Sequence, residues 1–232
     1  MLLVLTGGLA SCNKNNEEIL YGCIGGWCLE VENGSEFTDV VELKLMASDA
    51  RVAHNLTTIA NSCLKNGRFN IALPETLVQD YLFPLVDGNQ WLSPQAYIYV
   101  PSDRVTISNE DVNIGLLKIA AFNEKSRKFG DSREIGVFFP VRNEEGISIT
   151  GSLVYADSDV TISGHDRFVG RGLSPLVIPP ESSRIYSIEL KKGWNVLYIL
   201  RQGDAAVLRA QCLATFMNGA NWRGGRHQFQ TD

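Results

Sequence analysis

Apolar and polar residues alternate along much of the chain. Val41, Leu43, Leu45 and Ala47 are interleaved with Glu42, Lys44 and Met46, and Phe69, Ile71 and Leu73 with Asn70 and Ala72. The same period returns in Ile135, Val137, Phe139 and Val141, and in Ile147, Ile149, Leu153 and Tyr155, where Gly151 falls in phase as a candidate bulge. Tyr186, Ile188 and Leu190 repeat it, followed by Trp194, Val196, Tyr198 and Leu200. A period of two predicts strands with one buried and one wet face. Asn66-Gly67 and Lys192-Gly193 sit between such runs and supply the positive φ angles of tight turns.

A helical period stands out once. Leu77, Val78, Tyr81 and Leu82 follow Pro74-Glu75 and stop at Pro84, which predicts a short helix near Glu75–Phe83. Leu208, Ala210, Cys212, Ala214 and Phe216 alternate, so 205–217 reads as a strand. The expected class is therefore all-β: one or two antiparallel sandwiches with one short helix. The preferred division places one sandwich at 23–107 and a second at 108–218, with a single larger sandwich as the alternative. Residues 219–232, containing Arg223-Gly224-Gly225-Arg226, read as a solvated tail.

The chain has 232 residues, 44% apolar and 20% charged, with a formal net charge of −5. That balance excludes a disordered chain. No basic patch suggests nucleic acid as a partner. No apolar run reaches the ~18 residues of a membrane-spanning helix.

The start is informative. Met1–Ser11 is apolar and small, and Leu9-Ala10-Ser11-Cys12 resembles a bacterial lipobox, in which small residues admit a signal peptidase before the Cys. Residues 1–11 contain no Lys or Arg, so the reading implies a true start further upstream. The resemblance implies that Cys12 carries acyl chains, and two or more chains hold a protein to a bilayer durably. Residues 12–22 then form a polar tether, with Asn13, Lys14, Asn15, Asn16, Glu17 and Glu18 offering nothing to bury. This Asn-rich, acidic tether is similar to those of Bacteroidota lipoproteins, in which acidic residues after the lipidated Cys accompany surface export.

Four Cys remain as candidate disulfide partners: Cys23, Cys28, Cys63 and Cys212. Their three connectivities stay open. His54, His165 and His227 are too dispersed to complete a metal site, and no cofactor is expected.

Candidate chemistry is sparse. No Ser sits in a nucleophile elbow, so Ser163, His165 and Asp166 read as a polar turn rather than a triad. Asp157 and Asp159 have the alternate spacing of calcium ligands but no downstream bidentate Glu, and read as a strand-end turn. No phosphate loop is present. Trp194 lies in strand phase and is expected in the core. Trp91, with Tyr97 and Tyr99, forms the candidate ligand contact, since exposed aromatics mark binding sites.

Four strings resemble a group of small, uncharacterised Bacteroidota lipoproteins: residues 66–76 (NGRFNIALPET), 105–109 (VTISN), 155–164 (YADSDVTISG) and 190–195 (LKKGWN). The first also resembles a segment of transthyretin-like sandwiches. The resemblance implies an all-β, transthyretin-like or immunoglobulin-like fold at the outer membrane, and no catalytic residue. The leading expectation is a lipid-anchored, non-enzymatic envelope protein with a structural or ligand-binding role and an unidentified protein or glycan ligand. The alternatives are a fimbrillin-like adhesin subunit, or a carbohydrate-handling accessory or hydrolase. Arg51, the first Arg after Cys12, lies beyond the first strong strand, which argues against the fimbrial processing pattern.

Overall fold

The computed structural model describes residues 26–31, 33–48, 56–85, 104–128, 134–168, 182–202, 205–218 and 220–226. The strands are β1 Gly26–Glu30, β2 Val40–Ser48, β3 Leu56–Ser62, β4 Arg68–Ala72, β5 Phe83–Pro84, β6 Val105–Ile107 and β7 Asn113–Asn123. They continue with β8 Gly136–Glu144, β9 Ile147–Ala156, β10 Val160–Phe168, β11 Ser182–Leu190, β12 Gly193–Gln202, β13 Ala205–Cys212 and β14 Ala220–Arg226. Two short helices, α1 Glu124–Lys128 and α2 Leu213–Met217, interrupt them. The fold is all-β, and no helix among the described residues is long and apolar enough to cross a membrane.

β1 and β4 form a two-stranded ribbon. The remaining strands join one sheet in the order β3-β2-β7-β8-β9-β12-β13-β11-β10-β6, with β14 on β8 and β5 on β7. This sheet crosses the expected 107/108 boundary: β2 pairs with β7, and β6 pairs with β10. Each of the two main cores likewise draws residues from both sides of it. The expected pair of sequential sandwiches is therefore replaced by two cores on opposite faces of one sheet.

β9 and β12 are the shared wall. Leu153, Tyr155, Val196 and Tyr198 face one core; Val154, Ala156 and Leu197 face the other. The expectation of one wet face fails for these strands, because apolar residues fill both parities and both faces are covered. The first core is closed by the β1–β4 ribbon, α2 and β14, and the second by β10 and β11.

Three local expectations need correction. Residues 75–83 hold only a 3₁₀ turn at Gln79–Tyr81, not a helix. Leu77 and Leu82 pack inward while Val78 is 60% exposed, so the apolar quartet does not share one buried face. The 205–217 segment is a strand only to Cys212 and then turns into α2, which buries Leu213 and Phe216. The tail is not solvated up to Arg226: β14 pairs with β8 across Ala220–Arg226, and Trp222 is 2% exposed. The glycines that suggested a loop allow close packing instead. A Cβ on Gly224 would lie 2.4 Å from the Phe37 ring.

Gly151 is the last residue of the β9–β12 ladder, opposite Tyr198, and the register up to it carries no shift of the kind a bulge makes. A Cβ there would meet Val196 Cγ1 at 2.1 Å. Gly164 has φ +137°, and a Cβ on it would lie 2.1 Å from the Arg104 carbonyl oxygen. Gly164→Ala should therefore push β6 off β10 and cost about 1–3 kcal/mol, read as a lower urea midpoint. An unchanged midpoint would show that this edge adjusts freely.

Candidate functional site

The four strings that carry the family resemblance meet in space. Trp194 Nε1 donates to the Pro74 carbonyl at 2.8 Å, and its ring meets Tyr155 edge-on at 5.4 Å between centroids. Ser108 Oγ accepts from Thr161 N at 2.9 Å, and Ser108 N donates to the Thr161 carbonyl at 3.0 Å. Asp159 Oδ1 accepts from Lys192 N at 2.7 Å.

These contacts decide the role of the two aspartates. Asp157 Oδ1 accepts from Asn113 N at 3.0 Å, and its Oδ2 from Asn113 Nδ2 at 2.8 Å. Asp157 thus holds the start of β7 through both the backbone and the side chain of Asn113, and Asp159 divides its carboxylate between the Lys192 backbone N and the Lys191 ammonium. Among the described residues no three His, Cys, Asp or Glu side chains cluster to hold a metal. Ser163 and His165 are exposed on β10, and His165 is tied through its backbone N to the Arg104 carbonyl.

The sharpest polar joint is Asn195, fully buried beside the β11–β12 connection. β13 lies between β11 and β12, so Lys191 and Lys192 must step across a strand position outside both strands. Asn195 supplies the missing partners. Its Nδ2 donates to the carbonyls of Lys191 (2.7 Å) and Gly193 (2.9 Å), and its Oδ1 accepts from Lys191 N at 3.0 Å. Buried backbone groups need such partners. An Asn within an apolar run gave no advance sign of this role.

A second clasp joins the turn before β2 to the end of β14. Arg226 pairs with Asp39, donates to the Glu36 carbonyl at 2.7 Å and lies 4.8 Å over the Phe37 ring. The Arg226 hydrogen bond holds the Asp39 carboxyl below its ordinary range, and the Lys192 backbone bond does the same for Asp159. A lowered folded value means that this stabilisation is complete above the unfolded range, about pH 4. It is lost as pH falls through the folded values. Both carboxylates are solvent-screened, so the slope is shallow. The Asp39→Asn, Asp159→Asn double variant should show a flatter loss of stability below pH 4 in urea titrations; an identical acid limb would refute the assignment.

One cavity of about 210 Å³ opens where three ladders diverge. β7 pairs with β9 through Ile114–Leu117 and with β8 through Ile119–Ala121, leaving Lys118 between them. Leu117, Ile119, Phe138, Pro140, Gly151 and Leu153 contribute apolar lining, and Lys118 Nζ pairs with Glu134 at 2.6 Å. Thr150 and Ser152 add hydroxyls to the lining.

Of the expected site residues, Cys12, Cys23, Trp91, Tyr97 and Tyr99 lie outside the described residues. Cys28 lies in β1, with its side chain outside the description. Cys63 is disulfide-bonded. Cys212 is a free thiol, 2.9 Å from Thr215 Oγ1, so a bridge through Cys212 is corrected: the turn into α2 directs the sulfur to the helix's own hydroxyl. Trp194 packs against the first core, as its strand phase suggested. Comparison with known proteins finds no matching family model, no matching curated protein and no matching solved structure.

Proposed function

We propose that this chain is a lipid-anchored, non-enzymatic protein of the cell envelope, held at the outer membrane through acyl chains on Cys12. The observation that carries the reading is the string Leu9-Ala10-Ser11-Cys12 followed by the polar residues 13–18. The roles of Asp157, Asp159 and Asn195 as holders of turns support a structural or ligand-binding task over catalysis.

Cys12→Ala tests it. In cells expressing the full gene from its true start, the wild type should take up a palmitate analogue and fractionate with membranes. The variant should lose the label and leave the membrane fraction, or stall uncleaved, with unchanged β-rich circular dichroism. A single acyl chain binds only marginally and two or more bind durably, so the retention should differ sharply. Equal labelling and equal retention would overturn the anchor.

A further inference from the structure

The sequence contains the dipeptide Asn-Gly at 33–34 and at 66–67, and the fold treats the two differently. A third, at 218–219, has its Gly outside the described residues. We propose that native-state deamidation falls on Asn66 and spares Asn33, making Asn66 a spontaneous modification site.

The chemistry requires the backbone nitrogen of the following Gly to attack the Asn side-chain Cγ. The new N–Cγ bond forms, the Cγ–Nδ2 bond breaks, and the departing nitrogen leaves as ammonia with the proton taken from the Gly N–H. Water then opens the succinimide ring, its hydroxyl going to either carbonyl carbon and its proton to the nitrogen. The product is Asp or isoAsp. Glycine favours the reaction because no Cβ obstructs the approach.

Two things govern the rate in a folded chain: whether the amide is held, and what must open to let the Gly nitrogen reach Cγ. Asn33 is held. Its Nδ2 donates to the Gly224 carbonyl at 2.9 Å and to Glu36 Oε2 at 3.3 Å, while its Oδ1 accepts from Gly224 N at 2.9 Å. The side chain acts as one more rung on the outer edge of β14. Releasing it means breaking the joint between the turn at 33–36 and β14. Gly34 is also buried, its position tight enough that a Cβ would meet Gly67 Cα at 2.3 Å.

Among the described residues, no hydrogen bond restrains the side-chain amide of Asn66 in this way. It is exposed at the tip of a two-residue turn, with φ +51°, followed by Gly67 at φ +73°. Only the turn holds it, through the paired Lys65 and Arg68 bonds (2.8 and 2.9 Å) and the Gly67 carbonyl that accepts from Val31 N at 2.8 Å. In the left-handed conformation the following amide points away from the residue's own Cβ, so attack waits for the turn to open. Opening an exposed two-residue turn is a local event. Opening Asn33 takes the same kind of backbone motion plus the loss of both Gly224 bonds. Those extra bonds should slow Asn33 roughly ten-fold or more relative to Asn66.

The test uses the purified protein held at mildly alkaline pH in buffer and, in parallel, in denaturing urea, with peptide mass spectrometry over time. In buffer, amide-to-acid conversion with isoAsp should accumulate at Asn66 at least roughly ten-fold faster than at Asn33. In urea the two sites should convert at similar rates, because both have Gly as the next residue. Asn33 keeping pace with Asn66 in buffer would overturn the proposal. So would an equal preference for Asn66 in urea, which would place the selectivity in the local sequence rather than in the fold.

Discussion

Trp222→Ala should lower stability by about 3–5 kcal/mol, the usual cost of deleting a buried aromatic. Trp222 is 2% exposed. Its ring meets Phe69 edge-on at 5.6 Å, Phe69 meets Phe138 at 5.8 Å, and Phe138 meets Phe37 at 4.9 Å. The indole thus anchors an aromatic chain linking β14, β4, β8 and the turn before β2. Removing it leaves a void that β14 cannot collapse into, since β14 is fixed to β8 on one edge and to Asn33 on the other. Trp222→Phe makes the sharper comparison. Among the described residues the buried indole N–H has no hydrogen-bond partner, so losing it removes an unsatisfied donor that itself costs about 1–3 kcal/mol. Phe should therefore recover most of the loss. Urea denaturation of the three proteins checks this; Ala and Phe variants of equal stability would show that ring volume is not what holds β14.

Asn195→Ala should cost about 2–3 kcal/mol, because it removes a fully buried side chain that makes three hydrogen bonds to part-buried backbone groups. The groups orphaned are Lys191 N and the carbonyls of Lys191 and Gly193. β11 offers them no hairpin ladder, because β13 occupies the position beside β12 that a simple hairpin would give to β11. Asn195→Asp should be at least as damaging. It sets a carboxylate oxygen against two carbonyl oxygens 2.7 and 2.9 Å from the present nitrogen. A threonine or serine that left the urea midpoint within about 0.5 kcal/mol of wild type would contradict the role given to Asn195.

The two positions also mark what the sequence could convey. Strand alternation announces β2, β4, β8, β9, β11 and β12, because a period of two in the residue types marks an extended segment, even though β9 and β12 prove to bury residues on both faces. It does not announce β14. Arg223-Gly224-Gly225-Arg226 has the composition of a loop, and only the contact of Gly224 with Phe37 shows why side chains are missing there. The 75–83 helix was misread because four apolar residues at helical spacing can also come from an irregular segment that buries two of them. The boundary at 107/108 followed turn residues, yet sheet pairing between distant segments ignores local composition.

The candidate site was legible in one respect. Asp157 and Asp159 carry the spacing of a turn as much as that of a metal site, and their oxygens do accept from turn backbone. Asn195 and the cavity between β7, β8 and β9 left no such trace, since both arise from where ladders part. The cysteines gave numbers without connectivity, and Cys63 and Cys212 turn out to differ in kind.

The most direct measurement of the proposed function is the mass of the N-terminal peptide of the protein isolated from membranes. The proposal predicts that the peptide begins at Cys12 and carries a diacylglyceryl group on its sulfur, with the amine acylated in addition. An unmodified Cys12 within a peptide that still contains residues 1–11 would contradict it.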